Sequence, residues 1–283
     1  MGIRALRSLL ANSDKLHRLV WHEDREDGLD DRDIARISEA FPENSEVIRR
    51  GAADEMLEEV LRDYPLCREF RRRHVMGLKL IDPLHDRSDA FLIYDSDILT
   101  MHPVSGFCDF PDKETDVVFM HDSQYSYGFR LRQALAVPSG SMVRRLNAGC
   151  MLVRRSSVSY GQIEAVFERY PQLMERNDDQ TVWALLAAGL NARMWDPEQV
   201  AIARADEVFL EECSVLHFVS PVRAIFHRFA EVAESRPAGV GRVAVRTVPS
   251  VRFGGADLFR EVLERKLINN ANRARMFLSR FGF

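Results

Sequence analysis

Apolar and polar positions along the chain fall into short continuous runs separated by helical spacings. Ala90 to Tyr94, Val117 to Met120 and Cys150 to Val153 are unbroken apolar runs of strand length. Unbroken rather than alternating runs predict strands buried on both faces, as in a mostly parallel sheet. Arg18–His22 and Glu46–Arg49 read as two further short strands. Between the runs the period changes. Residues 4–11 read as a helix end, and residues 52–63 and 65–80 as helices. Ile163, Val166, Phe167 and Tyr170 fall at i, i+3, i+4 and i+7, on one helical face. Asp30, with Asp33 three residues on, predicts a capped helix over 31–40, and Asp178 caps a helix carrying Val182, Leu185 and Leu186. Ser220-Pro221 predicts an N-cap followed by proline at the first helical position, opening a helix to about Ala233. Strands alternating with helices make an α/β sandwich.

Composition narrows this further. Hydrophobic residues are 46% and charged residues 29% of 283, enough for a packed core under a solvated surface. The longest clean apolar run, Val182 to Leu190, falls well short of the roughly 20 residues of a membrane span. The first twenty residues lack the long apolar stretch of a secretory signal. Cys67, Cys108, Cys150 and Cys213 are widely spaced with no C-x-x-C, which disfavours a zinc site or a disulfide framework and fits a reducing cytoplasm. Residues 221–283 carry 12 Lys/Arg against 5 Asp/Glu, although the whole chain is net −4. An acidic body with a basic tail argues against nucleic acid as the main partner and leaves room for phosphates or anionic lipid. Leu263, Leu267, Ala274, Leu278 and Phe281, with Arg265, Lys266, Arg273, Arg275 and Arg280 between them, describe either an interfacial helix in peripheral membrane contact or a C-terminal helix docked on the body.

The candidate chemistry begins at Tyr94-Asp95-Ser96-Asp97. Two carboxylates one residue apart stand where a buried strand ends, the usual place for ligands in open α/β sheets. They offer hard oxygen ligands to a divalent cation, which in turn can hold phosphates; a solvated turn would have the same composition. Far along the chain, His217 ends the apolar run Val215 to His217, and Arg223 falls in the first turn of the helix that follows. A helix N-terminus bearing an arginine is an anion site.

Together these segments resemble the GT-A nucleotide-sugar transferases, in particular the bacterial lipopolysaccharide galactosyltransferase and glycogenin group. That group carries Asp-x-Asp at a strand end and a later His-x-x-Gly-x-x-Lys. Asp95 and Asp97 match the first motif, and His217 and Arg223 the second, with Ser220 where the family has Gly. The resemblance covers roughly residues 5–235 and implies a mixed sheet flanked by helices, here lacking the family's first strand, followed by a linker and a basic C-terminal helix over 236–283. It implies that Asp95, Asp97 and His217 hold Mn²⁺ (or Mg²⁺). It also implies that Lys79, Asp95, Asp97, Gly149 and Arg223 face a nucleotide-sugar donor such as a UDP-sugar, and that Asn147 and Asp179 position the sugar. Asn147-Ala148-Gly149 and Asn177-Asp178-Asp179-Gln180 are the matching segments. The activity implied is metal-dependent glycosyl transfer to an unidentified glycan, lipid-linked or protein acceptor, as in cell-surface polysaccharide synthesis. A competing expectation is a non-catalytic protein on the same scaffold, favoured by the absent first strand. A haloacid-dehalogenase-type phosphatase fits less well, because Leu99 stands where that class has Thr or Val.

Overall fold

The computed structural model describes residues 1–13, 18–23, 28–41, 45–175, 178–204, 212–220, 222–235 and 241–279, the side chains of 272–279 excepted. The chain opens with α1 (Gly2–Asn12), β1 (Leu19–His22), α2 (Asp31–Ala40), β2 (Ser45–Ile48) and α3 (Arg50–Glu58). Next come α4 (Pro65–Arg73) and α5 (Met76–Ile81), then β3 (Ala90–Tyr94), β4 (Ile98–Thr100), β5 (Val104–Ser105) and β6 (Val117–His121). The middle holds α6 (Leu131–Ala136), β7 (Met142–Val143), β8 (Leu146–Arg154), α7 (Tyr160–Arg169), α8 (Asp179–Ala188), β9 (Ala192–Trp195) and β10 (Val200–Ile202). The last elements are β11 (Val215–His217), α9 (Phe226–Ser235), β12 (Val243–Ala244), β13 (Thr247–Pro249), β14 (Arg252–Phe253) and α10 (Gly255–Ser279).

The caps read from the sequence are in place. Asp30 accepts from the Asp33 amide and Asp178 from the Thr181 amide. Residues 65–80 do not form one helix. The chain breaks at His74, and Gly77 folds back so tightly that a Cβ there would lie 2.6 Å from Arg71 Cα.

The central sheet has the order β13-β9-β6-β8-β3. It is mixed, as expected, but mostly antiparallel: β3 and β6 both run antiparallel to β8, β13 is antiparallel to β9, and only β6 and β9 are parallel. The apolar runs of β6 and β8 are buried on both faces, whereas in the edge strand β3 only Ile93 is buried, and burial does not distinguish strand direction. β6 is buried from Val117 to Met120 and β8 from Leu146 to Val153. One face of this sheet packs on α4, α7 and α8 through Phe70, Phe167 and Trp183, each at most 1% exposed. Truncating one such side chain costs about 3–5 kcal/mol. The other face packs on a smaller sheet, β10-β11-β4, through Ile98, Val118, Leu152 and Val215.

α1 is the first element. β1 and β2 pair in parallel as a separate two-stranded sheet, and β3 ends the central one. The boundary expected after residue 235 does not separate an appendage. β12 pairs with β5, β13 with β9 and β14 with β7, so residues 243–253 are woven into the body. α10 docks by its first turns, with Leu258 and Val262 buried, whereas Leu263 and Leu267 are exposed. The side chains of Arg273, Ala274, Arg275 and Leu278, and residues Arg280 and Phe281, lie outside the described set. Among the described residues no helix is long and apolar enough to cross a membrane.

Candidate active site

Strand pairing brings the two distant motifs together. β4 begins one residue after Asp97 and pairs antiparallel with β11, setting Ile98 opposite His217. The Phe218 amide donates to the Asp97 carbonyl at 2.8 Å, which locks the two strand ends side by side. On the other flank the Asp95 amide donates to the Gly149 carbonyl at 2.8 Å, extending the β3–β8 ladder by one rung. Between Phe119 and Met120 the β6–β8 register jumps from Met151 to Asn147. This irregularity releases Ala148 to Cys150 from β6 and re-aims Asn147, as bulges beside sites do.

The result is one cluster. One ligand atom each from Asp95, Asp97 and His217 lies within 4.8 Å of the others. His217 Nε2 is 3.0 Å from Asp97 Oδ1 and 3.8 Å from Asp95 Oδ2. Its other nitrogen, Nδ1, lies 3.2 Å from Asn147 Oδ1. An amide oxygen only accepts, so Nδ1 donates to Asn147 and Nε2 is the nitrogen that faces the two carboxylates. Two carboxylates and one imidazole nitrogen so placed form a ligand set of the kind that holds a divalent cation.

Gly149 makes the room. A Cβ there would stand 2.4 Å from His217 Cε1, 2.7 Å from Asp95 Oδ2 and 3.0 Å from Asn147 Oδ1. The residues thus fit a divalent ion: two hard carboxylates, an oriented imidazole and space beside them. Gly149→Ala is therefore expected to lower Mn²⁺ affinity at least tenfold, read by calorimetric titration, while the far-ultraviolet circular dichroism stays that of the parent. Unchanged affinity would show that the cluster does not hold the ion.

Lys79, on α5, reaches the same place. Its Nζ is 2.8 Å from Asp95 Oδ1 and 3.8 Å from Asp179 Oδ2. Burial works to lower its pKa, but the carboxylates of Asp179, Asp95 and Asp97 outweigh that and raise it, so Lys79 is a permanent cation. Asp179 stands at the first turn of α8, only 6% exposed, and its Oδ2 makes no hydrogen bond. Burial pushes its pKa up to about 6, against the pull of Lys79. A buried acceptor with no donor fits a hydroxyl brought by a ligand.

Arg223 departs from expectation. The segment before it does not start an α-helix. Residues 222–225 form a 3₁₀ turn, α9 begins at Phe226, and Pro221 lies outside the described residues. Arg223 itself bonds Asp97 Oδ2 through Nε at 2.9 Å and Nη2 at 2.5 Å. The diphosphate role foreseen for it would require that fork to open or to be shared. Burial opposes ionisation of Asp97, but hydrogen bonds and charge from His217 and Arg223 more than offset it and hold the carboxyl below its usual range.

Sequence reasoning passed over Asp122. This buried carboxylate accepts from Gln180 Nε2 at 3.1 Å and lies 3.5 Å from Asn147 Nδ2, so it anchors two amides of the site. The signal was available: Asp122 follows the apolar run of β6 as Asp95 follows β3. Asn177 is outside the described residues.

No protein-family signature and no curated protein matches the sequence. Solved structures do match in fold. The galactosyltransferase LgtC, in complex with donor and acceptor sugar analogs, aligns with a TM-score of 0.54 at 14% identity, over 83% of this chain and 91% of that one. An active-site mutant of LgtC aligns with a TM-score of 0.51 at 15% identity, over 88% and 92%. At such identity the likeness is one of architecture, and the chain adopts the GT-A glycosyltransferase fold.

Proposed function

We propose that this protein is a metal-dependent glycosyltransferase that moves a sugar from a nucleotide-diphosphate sugar, such as a UDP-sugar, to a glycan acceptor of the cell surface. The observation that carries the reading is the convergence of Asp95, Asp97 and His217 beside Gly149, flanked by Lys79 and Asp179, at the strand ends of a GT-A fold. Asp95 and Asp97 would supply carboxylate oxygens and His217 its Nε2 to Mn²⁺. The bound ion would act as a Lewis acid towards the departing diphosphate. Lys79 would add a fixed positive charge beside it. Asp179 would accept from a sugar hydroxyl at its unpartnered oxygen, and Asn147 would hold His217 in register while facing the sugar. Arg223 would exchange its contact with Asp97 for one with phosphate oxygens.

A non-catalytic scaffold is the second reading, and one observation favours it. Lys79 already pairs with Asp95, and Arg223 with Asp97, so both carboxylates are satisfied by cations of the chain itself.

Incubation with a panel of nucleotide-sugars, with Mn²⁺ or with a chelator, separates the two. Release of the nucleoside diphosphate from at least one donor is expected, at a rate that falls at least a hundredfold with chelator. No release from any donor, together with no calorimetric Mn²⁺ binding, would support the scaffold.

A further inference from the structure

The proposed chemistry does not use a cavity of about 280 Å³ walled in part by the segments that carry Asp122 and Asn147. It is lined by His121, Arg144, Arg145, Met194 and Val251. Arg144 and Arg145 form the turn between β7 and β8, and Arg145 has a φ of 57°, the only non-glycine residue in the left-handed region among the described residues. Such a backbone costs about 1–3 kcal/mol for a side chain with no local hydrogen bond to justify it, and turns normally place Asn or Gly there. Here the conformation sets two consecutive guanidinium groups on the same partner. Arg144 Nε donates to Glu261 Oε1 at 2.5 Å and Arg145 Nε to Glu261 Oε2 at 3.3 Å. Arg145 Nη1 also donates to the Ser123 carbonyl at 2.9 Å.

Two guanidinium groups therefore share one buried carboxylate, Glu261, at the cavity wall. Arg145 is mostly buried, and the terminal nitrogens of Arg144 have no hydrogen-bond partner among the described residues. His121 faces them as a neutral ring, its pKa pulled down by burial and by Arg145, then Arg144, against Asp122 and Glu261. Met194 and Val251 give the cavity an apolar side. Guanidinium pairs of this kind bind oxyanions by forked hydrogen bonds.

The location says which molecule brings the anion. His121 is the chain neighbour of Asp122, and the Asp122 amide donates to the Arg145 carbonyl at 2.6 Å. Asp122 in turn holds Asn147 and Gln180, and Asn147 follows Arg145 by two residues, so the two segments that wall the cavity also carry proposed sugar-positioning residues, whereas the diphosphate is proposed at Asp95, Asp97 and His217. We propose that the Arg144–Arg145 cavity is an acceptor subsite for an anionic sugar, one bearing a phosphate or a carboxylate. This rests on the glycosyltransferase reading for the word acceptor, but the binding itself does not.

The test is a titration of metal-free protein, without donor, following the His121 ring signal by carbon–proton correlation spectroscopy. The probes are glucose, glucose 6-phosphate and glucuronate. At least one anionic sugar is expected to shift the signal with a Kd at least tenfold below that of glucose. The tighter of the two identifies the group as phosphate or carboxylate. Arg144→Gln, and separately Arg145→Asn, which keeps a residue tolerant of positive φ, should each erase at least fivefold of that preference. Each single variant leaves Glu261 one guanidinium, so the fold is kept. Equal Kd values for the three sugars, or a preference unchanged in both variants, overturns the proposal. Failure of sugar transfer would show instead in the donor assay, which this titration does not involve.

Discussion

Asp97→Asn should reduce donor turnover by about 10³-fold or more, equivalent to roughly 4 kcal/mol of transition-state stabilisation. Asp97 is buried, 4% exposed like His217, and His217 and Arg223 both bond its carboxylate. Asparagine keeps the shape but brings an NH₂ group that cannot ligate, and it removes a negative charge that a bound cation needs. Mn²⁺ affinity should fall with turnover, as read by the electron paramagnetic resonance of free Mn²⁺ during titration. The wild-type carboxyl is held below the ordinary carboxylate range, so its pairing stabilises the fold above the unfolded pKa near 4 and is lost as pH falls through the lower native value. Asp97→Asn should thus lose stability at pH 7 and show less acid dependence than the parent. Full turnover with intact Mn²⁺ binding would remove Asp97 from the chemistry.

The internal pairs of the cluster bear on how it operates. In the unliganded protein Lys79 and Arg223 sit where positive charge would otherwise come from a cation. On the proposed reading, ion binding and the release of Arg223 from Asp97 would be one exchange. The guanidinium, once freed, would stay close to the site by its tether, and because Arg223 is half exposed its movement would cost little packing. A donor diphosphate arriving with the ion would offer the fork a new partner of the same geometry.

Much of this was legible in the sequence because the signals were local. The apolar runs of β3, β6 and β8, the caps at Asp30 and Asp178, and the carboxylates closing Tyr94-Asp95 need only neighbouring residues to be read. Strand direction was not legible, since a strand covered on both faces has the same apolar run whether its neighbours run with it or against it. The antiparallel β4–β11 pairing, which puts His217 beside Asp97, comes from strands of three residues, too short to show a period. The same holds for Val243–Ala244 and Arg252–Phe253, so residues 243–253 looked like a linker until their pairing was seen. Arg144-Arg145 carries none of the Gly, Asn or Asp that marks a turn, so nothing local in the sequence points to the left-handed backbone at Arg145. Arg223 could be placed near the cluster from its spacing to His217, but its bond to Asp97 spans 126 positions and exists only in three dimensions.

Asp179→Asn should make the protein more stable at neutral pH while lowering turnover about a hundredfold or more. Both effects have one cause. The carboxyl is buried at the start of α8, its pKa raised to about 6 from an ordinary 3.8, with Asp95 and Asp178 adding to the effect of burial and Lys79 opposing it. A carboxyl that holds its proton more tightly when folded contributes full stability below the unfolded value. That contribution is lost as pH rises through about 6. At about 1.4 kcal/mol per pH unit over this interval, the neutral-pH penalty is of order 3 kcal/mol. Asparagine does not titrate and escapes it. The helix keeps its cap, because the Thr181 amide and hydroxyl bond Asp178 rather than Asp179. Melting curves at pH 5 and pH 7.5 with chelator present should both place the variant higher, its advantage at pH 5 about half that at pH 7.5, because the penalty grows from 3.8 up to about 6. Turnover should fall because an amide accepts less strongly than the carboxylate whose free oxygen now faces the site. A variant that melts lower than the parent at pH 7.5 would make Asp179 a structural partner of Lys79. In that case the buried charge would be there to hold the fold, and the sugar would have to be held by other residues.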